Sequence, residues 1–125
     1  MQLHRLILSF GYAFRGIARL LKTEQNARIH FSAMLLTFAL AIVFKVNHVE
    51  AAILFMAVVL VFAMEIMNTA VEKTLDLLHP HEHDVVRKVK DAMAGAVLIS
   101  AIIATVVAIL TFYPYVRDLI IAGSW

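Results

Sequence analysis

The sequence predicts an all-α membrane protein, with an N-terminal amphipathic surface helix and three transmembrane helices. Three observations predict it. Of the 125 residues, 62% are apolar, against roughly 45–50% in a soluble domain. Residues 31–44, 51–64 and 92–113 contain no Asp, Glu, Lys or Arg. The third stretch alone covers a bilayer, which needs about 20 residues, and the first two reach that length with their semi-polar flanks. Finally, the eleven Lys and Arg residues are segregated along the chain rather than spread evenly.

In chain order, residues 1–22 read as the surface helix. Leu3, Leu6, Ile7, Phe10, Phe14, Ile17 and Leu21 follow three/four spacing, and Arg15, Arg19 and Lys22 share another face. Such a helix can lie in the membrane interface with its apolar side down. Basic residues run throughout residues 1–28 and no small-residue cleavage site follows, so the opening is not a secretory signal. Thr23 is placed to cap the next helix. The first span is assigned to 29–46 and the second to 50–70, within a helix running from near residue 49 to 78. The loop 79–84 (HPHEHD) holds Pro80 as breaker. The third span, 92–113, sits in a helix expected from 85 to 112, with Pro114 following its end. The tail 115–125 is left unassigned. All of 1–125 is read as a single membrane domain.

Cysteine is absent, which excludes disulfides and thiolate chemistry. The net charge of +2 is too small to suggest nucleic acid. Its distribution reports topology instead. Arg5, Arg15, Arg19, Lys22 and Arg28 precede the first span, and Lys73, Arg87, Lys88 and Lys90 flank the second loop. Only Lys45 and Arg117 fall on the other side. The positive-inside rule puts the larger group, the N-terminus and the HPHEHD loop in the cytoplasm.

One pattern points to chemistry. Glu65, Asn68, Glu72 and Asp76 recur at steps of three, four and four residues, so a helix puts all four on one face. They begin directly after the uncharged stretch 51–64. An ionisable residue at such a place marks a functional site by default, since its burial is costly. At about 1.5 Å per residue, Glu65 lies about 22 Å along its helix, near headgroup depth on the cytoplasmic side. Oxygens at this spacing suit a hard cation such as Mg²⁺, which would relieve the repulsion between carboxylates, with one carboxylate left as a base. The bland alternative is a polar seam holding an oligomer together.

Other groups are weaker. Lys90 and Asp91 stand at the mouth of the third helix, before Ala92, Ala94, Gly95 and Ala96. Lys90 offers a point charge to phosphates, although basic residues at span ends are usually topological anchors. Glu24, with Asn26, Arg28 and His30, matters if it folds against Glu72 to complete a cation site. His79, His81 and His83 alternate in a short loop without the spaced second pair that structural zinc uses. The four glycines form no phosphate-binding loop.

Taken together, these residues resemble a known family. Glu65, Asn68, Thr69, Ala70, Glu72 and Asp76 reproduce the pattern ExxN(T/S)AxExxxD of the small bacterial membrane lipid kinases, the prokaryotic diacylglycerol kinase and undecaprenol kinase family. Residues 90–98 (KDAMAGAVL) resemble its second signature, and the likeness extends from about Arg5 to Leu110. The resemblance implies a homotrimeric helical bundle in the bacterial inner membrane and transfer of the ATP γ-phosphate to a lipid hydroxyl. It implies that Glu65 is the catalytic base with Asn68 beside it, and that Glu24 and Glu72 hold Mg²⁺. It also implies that Arg5, Tyr12, His81, Glu82, His83, Lys90 and Asp91 stand near the nucleotide. Residues 23–30 (TEQNARIH) are similar to the undecaprenol kinase branch, except at Ala27, where a bulky aromatic is common. The expected substrate is therefore undecaprenol, with diacylglycerol as the alternative. Two other classes fit the acidic row alone: an oligomeric pore lined by it, or a lipid phosphatase.

Overall fold

The computed structural model describes residues 2–81 and 83–123. Four helices make up the described residues: α1 (Gln2–Thr23), α2 (Gln25–Val43), α3 (His48–Leu78) and α4 (Asp84–Ala122). The last three are each long and apolar enough to cross a membrane.

A single residue, Glu24, separates α1 from α2. It takes the N-cap position of α2 in an extended conformation, with no side-chain cap. Thr23 therefore does not cap α2. It is the last residue of α1, and its hydroxyl donates back to the Arg19 carbonyl at 3.2 Å. Ser and Thr hydroxyls commonly satisfy a carbonyl four residues back in this way. Arg28 reaches from α2 to the carbonyls of Leu21 and Lys22, at 3.4 and 3.3 Å. Those are orphan acceptors at the end of α1.

The α2–α3 turn is closed by hydrogen bonds at both ends. Lys45 N–H donates to Ile42 O and Val46 N–H to Ala41 O, each at 3.1 Å. Lys45 adopts a φ of 52°. This is a Schellman cap, with Lys45 in the left-handed position that glycine usually fills. Asn47 then caps α3, its Oδ1 accepting from Val49 N and Glu50 N at 3.0 Å each.

Chain packing centres on α3, which lies against α4 and then α2. Leu54, Val58, Val61 and Phe62 are buried on α3, facing Val97, Ser100 and Ala104 of α4. Phe31 tilts against Phe62 with centroids 5.4 Å apart, and Phe38 stacks on Phe55 at 5.3 Å. The other flanks stay apolar and open: Leu36, Ile42, Met56, Ile103 and Leu110 are all exposed. In a membrane this surface faces acyl chains or another chain rather than water.

Contrary to the sequence expectation, α4 does not stop before Pro114 but continues to Ala122. Proline costs a helix one backbone hydrogen bond, a loss that membrane helices tolerate when neighbours hold the segment. Here Tyr115, just past the proline, donates its hydroxyl to Glu50 Oε2 at 2.7 Å and packs against Phe44 at 6.2 Å. The continuation is thereby fastened to the start of α3.

Candidate active site beside the α1–α2 junction

The polar row on α3 emerges from the core by degrees. Glu65 is only 3% exposed and Thr69 is buried with it. Asn68 is half-buried, while Glu72 and Asp76 are exposed. Glu65 thus continues the stripe of Leu54, Val58, Val61 and Phe62 as its first charged member. Three/four spacing alone produces this gradient, because each step carries the same face further from the apolar packing.

Two elements bring further charges to the row. The α1–α2 junction delivers Glu24, whose Oε1 receives Lys73 Nζ at 2.7 Å and the Thr23 hydroxyl at 3.1 Å. These hydrogen bonds, the lysine's first, hold the Glu24 carboxyl below its usual range. Glu24, Glu72 and His30 all lie close enough to Glu65 to act on it electrostatically. Lys73 likewise feels Glu24, Glu72 and Asp76. The structure therefore brings Glu24, which is distant in sequence, to Glu65 and Glu72 on the second half of α3.

The start of α4 forms a second, adjoining cluster. Lys90 pairs with Asp76 of α3. Beside this pair lies a cleft of about 390 Å³, lined by His79, His81, His83, Asp84 and Arg87 among others. His83 caps α4 through Nδ1, which accepts from Val85 N at 3.2 Å. Lys90 is also within electrostatic reach of Glu72, which links the two clusters.

Not every expected residue joins them. Arg5 and Tyr12 remain exposed on α1, where the Tyr12 ring carries the Arg15 guanidinium at 4.7 Å. Asp91 is exposed and does not line the cleft. Glu82 lies outside the described residues. Conversely, Lys73 and His30 join the site without having been chosen as site residues. In the sequence Lys73 reads only as one of the charges that set topology. A lysine directly after Glu72, inside an acidic row, was the signal available for it.

Divalent metal is testable against this donor set. Among the described residues, no three His, Asp or Glu side chains converge to hold a metal by themselves. Mg²⁺ usually takes one or two carboxylates and completes its shell with waters and substrate phosphates. Glu24 and Glu72 are hard oxygen donors of the kind that habit uses, and Glu72 lies within electrostatic reach of Lys90 at the cleft.

Residues 11–112 match the family described as prokaryotic diacylglycerol kinase. The chain belongs to that family. This lipid kinase is 34% identical over 113 residues to the undecaprenol kinase of Bacillus subtilis, covering 90% of this chain and 92% of the relative. It is 32% identical over 117 residues to a diacylglycerol kinase of Synechocystis, covering 93% and 67%. The diacylglycerol kinase of Escherichia coli is 30% identical over 102 residues, covering 82% and 84%. The matched segment includes both clusters but not Arg5. As a kinase of this family with three membrane-length helices, it is a bacterial membrane enzyme that uses ATP. Neither the pore nor the phosphatase reading survives.

Proposed function

We propose that this kinase transfers the γ-phosphate of ATP to the hydroxyl of undecaprenol, giving undecaprenyl phosphate. The observation that carries the reading is Glu65: a buried carboxylate where the apolar part of α3 gives way to its exposed part, with Glu24 and Glu72 at hand. A lipid hydroxyl arriving laterally from the bilayer reaches that depth, and a soluble nucleotide reaches the exposed half of the row.

In this reading Glu65 accepts the proton of the attacking hydroxyl as general base. Asn68, one turn further along α3, orients the hydroxyl beside it. Glu24 and Glu72 would hold Mg²⁺, which would supply charge neutralisation for the transferred phosphoryl group. Lys90 adds a fixed positive charge where phosphate oxygens gather. His81, Glu82, His83 and Asp91 border the nucleotide, and Arg5 and Tyr12 reach it from α1. With little covalent work for the protein, positioning and charge provide most of the acceleration.

α1 lies in the interface as an amphipathic helix, and 1–125 form one membrane domain that assembles as a homotrimer. The N-terminus and the site face the cytoplasm, where ATP is available. Undecaprenol is favoured over diacylglycerol by the TEQNARIH segment and by the undecaprenol kinase among the relatives. The test is the purified protein with Mg-ATP and matched micelles of undecaprenol, diacylglycerol or ceramide. The expected result is phosphorylation of undecaprenol and diacylglycerol, with undecaprenol ahead in kcat/KM, since specificity is a ratio. Diacylglycerol ahead by about tenfold would overturn the substrate assignment and leave the chemistry standing.

A further inference from the structure

We propose that Lys73 is a positioning residue for the metal-binding carboxylate, fixing the rotamer of Glu24 so that one oxygen is held and the other is left for the cation. The inference rests on the reading of Glu24 and Glu72 as the metal's protein ligands.

Backbone packing does not orient this carboxylate. Ala27 is fully buried and Phe31 packs on Phe62, so the start of α2 is anchored to the bundle. Glu24 lies before that anchor, at the one-residue break between helices. Its neighbour α1 gives little support, because a groove of about 390 Å³ separates α1 from α3 there. Gly16, Leu20 and Thr23 form one wall of the groove, Ile66 and Ala70 the other, and Lys73 lines it as well. The ion pair from Lys73 to Glu24 crosses at this point.

Both hydrogen bonds to the Glu24 carboxylate, from Lys73 and from Thr23, fall on Oε1. Lys73 is the firm donor to Oε1, the single Thr23 proton being shared between Oε1 and the Arg19 carbonyl, and a side chain with one oxygen so held presents the other in a restricted direction. Metal-ligating carboxylates are ordinarily hydrogen-bonded in this way, and loss of such outer partners costs about 10–100-fold in metal affinity or activity. Lys73 also sits one residue after Glu72, so the second ligand and the tether of the first are carried on the same turn of α3.

The charge of Lys73 gives the proposal a sign. A cation beside a metal site repels the metal, so its removal alone would tighten binding. The Lys73 side chain is 59% exposed, and solvent screens that repulsion. The positioning role predicts the opposite outcome.

The experiment is Mn²⁺ binding to purified protein in micelles, followed by electron paramagnetic resonance without ATP. Lys73→Met is expected to weaken Mn²⁺ binding about tenfold. Lys73→Arg, which keeps a donor to Oε1, is expected to stay within about twofold, and Thr23→Val to show a smaller loss than Lys73→Met. In the kinase assay Lys73→Met should raise the Mg²⁺ needed for half-maximal rate, while turnover at saturating Mg²⁺ recovers. Equal or tighter Mn²⁺ binding by Lys73→Met overturns the proposal, as does a Lys73→Arg protein as weak as Lys73→Met. Glu72→Ala separates the two levels. If it keeps wild-type Mn²⁺ affinity, the carboxylate-pair reading fails and Lys73 with it. If it loses Mn²⁺ while Lys73→Met does not, only the role of Lys73 fails.

Discussion

The first turn and the middle of α3 each carry a carboxylate that is not freely exposed, and they treat it in opposite ways. At the first turn, Glu50 accepts the Tyr115 hydroxyl, and the same hydroxyl accepts from Asn47 N–H at 3.4 Å. Aromatic rings surround the group: Phe44 stands 5.9 Å from Phe112 and 6.2 Å from Tyr115. Among the described residues, the Tyr115 hydroxyl both donates to Glu50 and accepts from Asn47, and no second carboxylate is paired with it. Further along, Glu65 is more deeply buried and has two other carboxylates as neighbours. The first arrangement is a fastening. The second collects negative charge that folding alone does not require, and such an excess is expected where a cation and phosphates are to be handled.

Predictions that separate the two sites follow in order of size. Glu24→Ala and Glu72→Ala each remove one of two protein oxygens offered to the metal. Each should lower kcat/KM for Mg-ATP by about a hundredfold at low free Mg²⁺ and raise the Mg²⁺ requirement, as titration of rate against free Mg²⁺ will show. Unchanged titrations in both would mean that the two residues share no metal. Lys90→Met leaves the carboxylates in place but removes a fixed charge from the cleft and the partner of Asp76. It should raise KM for ATP about tenfold, in keeping with roughly 1.5–3 kcal/mol for a hydrogen bond to a charged group. A KM that stays put would confine Lys90 to its ion pair. Tyr115→Phe should destabilise the protein by only about 1 kcal/mol in denaturant titration and leave turnover unchanged. A larger effect on turnover than on stability would blur the distinction between the two sites.

How much of this was legible in sequence depended on whether local spacing or distant pairing decided each feature. The row from Glu65 to Asp76 was readable because one helix carries it and its period is local. The loop at Pro80 was readable for the same reason. Pro114 misled because its local rule ends a helix, whereas the continuation of α4 depends on Tyr115 finding Glu50, a partner far away in sequence. Thr23 misled in a smaller way: a good capping residue stands one position early, and Glu24 takes the cap site. Lys73 and His30 lay beyond periodicity, since each acquires its meaning from a neighbour on another helix. Arg5, Tyr12 and Asp91 were reached through the family resemblance rather than through their own spacing, and all three are exposed and line no part of the cleft.

The most direct measurement pairs the two carboxylates of α3. Turnover and unfolding free energy are measured for Glu50→Gln and Glu65→Gln under the same micelle conditions. Glu65→Gln should lose at least about a hundredfold in turnover, in line with general-base contributions, while nucleotide affinity and stability hold. Glu50→Gln should lose about 1 kcal/mol of stability and keep its turnover. A Glu65→Gln enzyme that turns over at a near-normal rate would contradict the assignment of the base.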